Sequence, residues 1–295
     1  MLILMRIPGV LWKIGVAWGV IVDLFGIFDR FSIPPIFNWM PILALFVFLD
    51  ITFWISVAQI FGNIFAKIAY GSNLPSGDNY DCKADYILPF SGKWTVFNGG
   101  VAKGLSHSWG IVPQRYAYDF IIMDDEGKSF DRDNKNLQSY YCYGKDVIAP
   151  ADGTIVKVSG SHRDSRVTGE KVYCGTWDIR GNFIVIKHAE KEFSAIAHLV
   201  PGSITVCKGD NVKRGDILAK CGNSGNTSEP HLHFQLQSGK SFFKSAGLPI
   251  SFVNINAREK TNYGMADSRG SQKEASEARG HGRVYIGRGL EVENI

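Results

Sequence analysis

Cysteine is scarce in this chain, and no two cysteines stand in a C-x-x-C spacing. The 295-residue sequence contains five of them, an odd number, at positions 82, 142, 174, 207 and 221. A four-thiolate zinc site is built from closely spaced cysteine pairs, so we do not expect one here. A Cys142–Cys174 disulfide and free buried thiols both remain open.

The sequence also lacks a strong excess of one charge sign. Its formal net charge of +4 is the small difference between 32 basic and 28 acidic residues. Basic patches interleaved with aromatic residues, which would indicate binding to a nucleic acid, are absent. We therefore expect no nucleic-acid partner.

Apolar residues are concentrated in the first 70 positions. The segment Ile36–Gly62 is almost uninterrupted apolar sequence and exceeds the ~20 residues that a membrane span requires. Asp50 interrupts it and should face a partner helix or an aqueous pocket; a buried helix of a soluble protein is the alternative. Ile7–Phe28 could form the first half of a hairpin or an interfacial helix. No signal-peptide cleavage site follows either segment, so we expect one or two membrane helices.

The composition of the sequence changes after residue 70 and again after residue 256. Residues 71–84 read as a linker rich in turn formers. Residues 85–256 contain short β-branched and aromatic runs interrupted by Gly, Asn and Asp every 8 to 12 residues, which predicts an all-β sandwich or barrel. Residues 257–295 are polar and Gly-rich, and we expect a disordered tail because they offer little apolar surface to bury.

Two segments of the β region repeat one local pattern. Residues 150–156 and 209–218 each read as an Asp/Gly turn that leads into a β-branched strand. Paired turns of this kind recur in hybrid barrels, including the biotin- and lipoyl-carrier domains. Such carriers display a lysine between small or Met residues at a hairpin tip. No such lysine is found here, so the carrier interpretation is rejected.

A pair of histidines carries the main chemical signal. His231 and His233 flank Leu232 and follow a run of turn residues at 222–228. Because a strand repeats every two residues, both imidazoles would project from one face while Leu232 and Phe234 enter the core. Two imidazoles on one rigid face can hold a metal ion and a proton-transfer group side by side, as metal-assisted hydrolysis requires. A chance pairing on a strand surface is the alternative.

Two further residues stand out within predicted strands. Asp119 lies in an aromatic and aliphatic stretch, where an unpaired buried carboxylate would be very costly. Either a salt bridge with Arg115 or a metal ion would compensate it. His198 lies among small residues, so it could approach a neighbouring strand closely; a core histidine with satisfied hydrogen bonds is the alternative.

Taken in order, these residues resemble the lysostaphin-type zinc endopeptidases, which cut peptidoglycan peptides. The resemblance covers roughly residues 90 to 240 and rests on four ordered blocks, namely 181–188, 197–199, 212–217 and 221–234. It implies the sandwich or hybrid-barrel fold of that family for residues 85–256. It also implies that Asp119 and His233 bind Zn²⁺, that His231 acts on the proton, and that His198 is its catalytic neighbour.

The chain departs from the family pattern at one zinc ligand. The family usually places its first zinc histidine four residues before the aspartate, where this chain has Arg115. His107 is the only upstream histidine, and the loop from His107 to Gln114 is long enough to fold back over the strand. We therefore expect His107, Asp119 and His233 to be the three protein ligands, which leaves a fourth position open as in catalytic zinc sites.

Together with the apolar N-terminal segment, the resemblance predicts a membrane-anchored, zinc-dependent endopeptidase whose catalytic domain lies outside the cytoplasm. Its partners would be a peptidoglycan peptide or another peptide, and the lipid membrane through the N-terminal segment. Two alternatives remain: a degenerate, non-catalytic domain that binds cell-wall peptide or a protein partner, and a sugar-transport phosphocarrier with a related sandwich. The phosphocarrier would be cytosolic, and the apolar N-terminal segment argues against it.

Overall fold

A long helix, α1 (Ile51–Tyr70), begins the part of the chain that the computed structural model describes, namely residues 51–167, 176, 178–269, 271–272, 274–278 and 282–295. The chain divides into two compact units, Met1–Val57 and Ala58–Ile295. Within the described ranges, no helix is both long and apolar enough to cross a membrane. The predicted membrane segments lie outside these ranges, except for the end of the second, whose residues 51–62 belong to α1.

Strands dominate the rest of the described chain. In order they are β1 (Trp94–Asn98), β2 (Tyr118–Ile121), β3 (Asp146–Ile148), β4 (Gly153–Ser159), β5 (Phe183–Ala189), β6 (Glu192–Ala197), β7 (Asn211–Val212), β8 (Ile217–Lys220), β9 (Leu232–Gln237), β10 (Gly247–Leu248), β11 (Ile255–Glu259), β12 (Ser276–Glu277), β13 (Val284–Tyr285) and β14 (Leu290–Asn294). A short helix, α2 (Tyr263–Ala266), and three 3₁₀ turns (Lys103–Leu105, Val112–Gln114 and Leu137–Ser139) lie between them.

One large sheet organises the molecule. Ten strands form it, in the order β11-β14-β1-β2-β9-β6-β5-β4-β7, with β10 paired to β9, and the neighbouring strands run antiparallel. Two small sheets, β3–β8 and β12–β13, complete the strand pairing of the described residues. The prediction of a β fold is confirmed in its coarser form, a mostly-β domain.

The two faces of the large sheet have different partners. One face packs into the main hydrophobic core, where Phe120 of β2 and Leu232 and Phe234 of β9 are fully buried. Val147 of β3 and Leu218 of β8 belong to the same core, so the small sheet covers this face. Because side chains alternate along a strand, Asp119 and His233 face the other way. The site described below is built on that second face.

The prediction of a disordered tail at residues 257–295 is wrong for the described part of that segment. β14 lies inside the large sheet and pairs with β1 on one side and β11 on the other. Leu290 and Val292 of this strand are fully buried, while Glu291 between them is not. The segment is polar on average, which conceals the alternation of apolar and polar residues in β14. This period of two allows a half-buried strand to form.

The described cysteines carry free thiols, at positions 82, 142, 207 and 221. Cys142 is buried and its thiol donates a hydrogen bond to the Pro230 carbonyl oxygen at 3.2 Å. Since Cys142 is a free thiol, the alternative of a Cys142–Cys174 disulfide is not supported. Cys174 itself lies outside the described residues.

Candidate active site

Strand register brings the centre of the site together. Asp119 of β2 is the Cα partner of His233 in β9, and His233 is in turn the partner of Ala197 in β6. On the other side, Asp119 pairs with Asn98 of β1, where a register shift after Val96 interrupts the alternation of that strand. Such an irregularity re-aims a side chain, and here the Asn98 amide turns toward the Asp119 carboxylate.

The Asp119 carboxylate is surrounded by three imidazoles and one amide. His233 Nδ1 lies 3.0 Å from Oδ1, and His231 Nε2 lies 3.7 Å from the same oxygen. His107 Nδ1 lies 3.7 Å from Oδ2, to which the Asn98 amide donates a hydrogen bond of 3.2 Å. Burial by itself would raise the pKa of Asp119, but the contact with His233 and the nearby imidazoles hold this pKa below its ordinary value. The carboxylate is therefore ionised.

His107 reaches the carboxylate because its loop folds back over β1 and β2. The backbone N–H of His107 donates to Asn98 Oδ1 at 3.0 Å, which fixes the loop beside the strand. The imidazole is half exposed, at 53 % of its side-chain surface. Partial desolvation lowers the pKa of His107, and Asp119 opposes this shift. A loop position with a half-exposed ring leaves His107 free to adjust to a ligand.

Arg115, which occupies the family's usual ligand position, points elsewhere. Its Nε donates to the Trp109 carbonyl oxygen at 3.1 Å, and its guanidinium carbon lies 5.3 Å from the centre of the Trp109 ring. The salt bridge between Arg115 and Asp119, considered above as one explanation for the carboxylate, does not form. Asn98 and the imidazoles compensate Asp119 instead.

His231 is held with one ring nitrogen free. Its Nδ1 lies 2.8 Å from the Glu229 carbonyl oxygen, which can only accept a hydrogen bond, so Nδ1 carries the proton. Thr227 Oγ1 lies 3.2 Å from the same nitrogen. The lone pair is consequently on Nε2, the nitrogen that faces Asp119 at 3.7 Å. This tautomer can take up a proton at the centre.

His198 directly follows β6 and is held in the same tautomer as His231 by a backbone carbonyl. Its Nδ1 donates to the Ser224 carbonyl oxygen at 2.7 Å, which leaves the Nε2 lone pair free. The rings of His198 and His231 have centres 4.6 Å apart. Burial lowers the pKa of His198 well below its ordinary value, so its ring is neutral. The residue has a φ of +63°, a strained backbone conformation of the kind that clusters at functional sites.

His233 has the opposite arrangement, which a chain of amides enforces. Gln235 donates its amide N–H to the Pro113 carbonyl oxygen at 3.2 Å and to Gln237 Oε1 at 2.7 Å. Gln237 in turn donates to the Gly239 carbonyl oxygen. With both amides oriented by backbone carbonyls, Gln235 Oε1 faces His233 Nε2 at 3.1 Å and accepts its proton. The other ring nitrogen, Nδ1, faces Asp119 Oδ1 at 3.0 Å.

The middle of the chain matches a family model. Residues 134–244 match the model of peptidase family M23. This match spans the histidine pair and His198. The chain contains an M23 peptidase domain. The resemblance to lysostaphin-type enzymes is thereby confirmed at the level of the family.

Characterised relatives of the M23 domain differ in their stated roles. Over 217 residues the chain is 26 % identical to the peptidoglycan DD-endopeptidase ShyB of Vibrio cholerae, covering 67 % of this chain and 49 % of ShyB. Over 141 residues it is 30 % identical to the murein hydrolase activator NlpD of Salmonella dublin, covering 48 % of this chain and 32 % of NlpD. The chain thus spans about half or less of the length of these relatives.

Among solved structures, the catalytic domain of lysostaphin from Staphylococcus simulans is similar to the M23 domain. The two are 22 % identical with a TM-score of 0.31, and the match covers 53 % of this chain and 88 % of the lysostaphin domain.

The donor set of the site, of which His107 and Asp119 precede the matched residues 134–244, fits zinc in its chemistry, although it is not assembled into a three-ligand cluster. Two ligand atoms of a tetrahedral zinc with bonds of 2.0–2.1 Å lie about 3.3 Å apart. The contacts of Asp119 with His233 and with His107, at 3.0 and 3.7 Å, bracket this spacing. A proton on His233 Nδ1, or a cation bound by both groups, would account for the 3.0 Å contact of this nitrogen with the carboxylate. Even so, no group of three or more His, Cys, Asp or Glu side chains in the described chain is arranged to hold a metal ion.

A glycine contact forms one wall of the site. The backbones of Gly181 and Gly225 approach so closely that a Cβ atom on either would collide with the other segment, and both have positive φ values. Asn182 N–H donates to Ser224 Oγ at 2.9 Å across the same contact. The loop at 222–228 is thus fixed against the start of β5, which places the Ser224 carbonyl under His198.

The structure brings together all five residues that the sequence singled out, and it adds two that sequence reasoning missed. Gln235 shares the strand parity of His231 and His233, so the period of two could have identified it. Asn98 carries no such signal, because its orientation depends on the register shift in β1. The contacts alone do not assign a chemical role to any of these residues.

Proposed function

We propose that the M23 domain of this chain is a zinc-dependent endopeptidase that hydrolyses peptide bonds, with peptides of bacterial peptidoglycan as substrates. The observation that carries the proposal is the pair of imidazoles, His231 and His198, each anchored to a backbone carbonyl through Nδ1 and lying beside the Asp119–His233 contact. A surface histidine pair without a function would not need two backbone carbonyls to fix its tautomers. The endopeptidase ShyB, to which the chain is similar, gives the substrate class.

The proposed ligands of Zn²⁺ are His107, Asp119 and His233. The ion would supply the Lewis acidity that polarises a peptide carbonyl and acidifies water. Asp119 contributes the negative charge, and Gln235 keeps His233 Nε2 protonated so that Nδ1 is the donor atom. His107 completes the set in place of Arg115, by rotating its half-exposed ring.

The two remaining histidines move protons. His231 accepts a proton from the attacking water at Nε2, while its Nδ1–H remains bonded to Glu229. The leaving amine then takes the proton that His231 accepted, either directly or through Nε2 of His198, whose ring centre lies 4.6 Å from that of His231. General acid–base groups of this kind contribute rate factors of about 10²–10⁴.

A second candidate function is the binding of cell-wall peptide or a protein partner without catalysis. Two observations favour it: the described side chains hold no preassembled three-ligand group, and the chain is also similar to a murein hydrolase activator. A third observation also favours the non-catalytic function: Arg115 occupies the family's usual ligand position and donates to the Trp109 carbonyl oxygen instead.

Metal analysis and peptidoglycan hydrolysis on the purified full chain distinguish the two functions. We expect wild type to bind zinc and cleave, His233→Ala and Asp119→Ala to lose both, and His231→Ala to keep zinc while losing at least ~100-fold in rate. His107→Ala tests the third ligand, and His188→Ala is the matched control. A wild-type protein that binds no zinc and cleaves nothing would establish the non-catalytic function.

We also propose that residues 1–70 anchor the protein in a membrane with the M23 domain outside the cytoplasm. The support is the apolar sequence of Ile36–Gly62. The chain should remain in the membrane pellet after alkaline carbonate extraction, and added protease should reach the M23 domain in intact spheroplasts. Recovery in the soluble fraction, or protection from protease, would contradict this anchoring.

A further inference from the structure

Arg180 is an almost fully buried cation beside the candidate active site. The residue is 5 % exposed, and its Nε and Nη2 atoms hold the Asp178 carboxylate at 2.8 and 2.7 Å. The guanidinium carbon lies 3.5 Å from the centre of the Phe183 ring and 5.2 Å from that of Phe242. The guanidinium therefore lies among two aromatic rings and one carboxylate.

One nitrogen of this guanidinium has no partner. The fork with Asp178 uses the Nε and Nη2 edge, whereas Nη1 is buried and makes no hydrogen bond. A buried donor without an acceptor costs about 1–3 kcal/mol, and more for a charged group. Groups of this kind call for an explanation such as a ligand that supplies the missing acceptor.

Three contacts place the guanidinium next to the catalytic residues. The Arg180 carbonyl oxygen accepts the backbone N–H of His198 at 3.0 Å. The Phe242 ring that covers the guanidinium has its centre 6.2 Å from that of His233. Phe183, on which the guanidinium lies, belongs to a cluster with Ala197, the strand partner of His233. A group bound at Nη1 would thus be a neighbour of a peptide bound at the histidines.

The surroundings of Arg180 are basic. Lys157 Nζ lies 5.3 Å from the centre of the same Phe183 ring. Burial and repulsion by Arg180, with a smaller effect of Lys240, lower the pKa of Lys157. Asp178 neutralises only one of these three cations. The excess positive charge favours an anion at the unpartnered donor.

We propose that Arg180 Nη1 is a subsite for a carboxylate of the peptide substrate, with Lys157 as a second cation at its edge. The inference rests on the proposed endopeptidase function and narrows its substrate class to peptides that carry a free carboxylate close to the cleaved bond. Entry of the carboxylate displaces the Phe242 ring from the guanidinium. Arg180 then binds Asp178 on one edge and the substrate on the other.

The test compares two synthetic cell-wall peptides of identical sequence, one with free carboxylates and one with the same groups amidated. Binding to the full chain is measured by calorimetry and hydrolysis by kcat/KM. Wild type should favour the acid peptide by about 10- to 100-fold, the size of a charge-assisted hydrogen bond. Arg180→Met should abolish this preference with little change for the amide peptide. Lys157→Gln should reduce it by a smaller factor.

Arg180→Met could fail to fold because Asp178 loses its partner, so the double variant Arg180→Met/Asp178→Asn and the charge-conserving Arg180→Lys are measured alongside it. The subsite is disproved if wild type binds both peptides equally, or if the variants weaken both by the same factor, as a structural role requires. If neither peptide is cleaved but the acid peptide binds selectively through Arg180, the endopeptidase function fails while the subsite stands.

Discussion

Three imidazoles of the site, His198, His231 and His233, are distinguished by the partners of their ring nitrogens. In His231 and His198 a carbonyl oxygen accepts the Nδ1 proton, and Nε2 is free. In His233 an amide oxygen accepts the Nε2 proton, and Nδ1 faces Asp119 Oδ1 at 3.0 Å. Proton transfer and metal binding need lone pairs at different places, so under the proposed function these three acceptors would separate the two roles within one cluster.

Gln235 should therefore control zinc affinity without touching the metal. Gln235→Leu removes the acceptor of the His233 Nε2 proton, and loss of such a partner typically weakens metal binding by about 10–100-fold. Gln235→Glu keeps an acceptor for this proton but loses the donations to Pro113 and Gln237, so it should bind zinc more tightly than the Leu variant but less tightly than wild type. Chelator competition on the full chain measures the affinity. Equal affinities for the Leu and Glu variants would show that the amide chain has no such role.

At the scale of elements, helix α1 is attached to both loops that flank the site. Asn63 Nδ2 donates to the Gly110 carbonyl oxygen at 3.1 Å, and Asn63 Oδ1 accepts the Val112 N–H at 2.7 Å. Both partners belong to the loop that carries His107. Gly62 contacts the Phe243 carbonyl, in the loop that carries Phe242. The helix thus fixes these two loops through adjacent residues.

The Gly62 contact gives a prediction in which two effects oppose each other. In an isolated helix, Gly→Ala would stabilise by about 1 kcal/mol. Here a Cβ atom would collide with the Phe243 carbonyl oxygen, and overpacking of this kind costs about 1–3 kcal/mol. We expect Gly62→Ala to destabilise the protein in urea unfolding. Gly104→Ala, at a position with open space, should be nearly neutral. Stabilisation by Gly62→Ala would mean that α1 is not held against the loop.

The C-terminal strand β14 shows why the sequence predicted a disordered tail where a strand forms. Its Leu290 and Val292 alternate with polar residues. Two of these polar side chains, Glu291 and Asn294, bind residues elsewhere in the chain. Glu291 pairs with Arg258 and Lys260, and Asn294 caps backbone groups of Leu88 and Phe90. From the sequence alone these polar residues predict a solvated tail. In the folded protein their side chains are paired with other residues.

At the scale of the whole molecule, stability should depend on pH through His188. Burial lowers the pKa of this residue to about 4, and its ring is bonded to the Asp152 carbonyl oxygen and to Ser194 Oγ. In the unfolded chain its pKa is about 6.5. Between these values the unfolded state binds a proton that the folded state does not, so stability is present above pH 6.5 and falls toward pH 4.

The expected loss is about 1–3 kcal/mol over this window, because one pKa unit corresponds to about 1.4 kcal/mol and the ring is only partly buried. Urea unfolding of wild type and His188→Gln at pH 7, 6, 5 and 4 measures it. The variant cannot take up this proton, so the stability difference between the two proteins should shrink as the pH falls. A difference independent of pH would show that His188 titrates normally in the folded state.

The sequence by itself determined the local pattern: the mostly-β class, the shared face of His231 and His233, and the candidates Asp119, His198 and His107. The class and the shared face follow from strand periodicity, which acts over a few neighbouring positions, whereas the choice of His107 and the roles of Asp119 and His198 rest on the family resemblance. Only the tertiary structure decided the rest. It turned Arg115 toward Trp109, placed β14 inside the sheet, gave Nδ1 of His231 and His198 carbonyl acceptors and left one Arg180 nitrogen without a partner. Each of these depends on contacts between residues far apart along the chain, which no local pattern encodes.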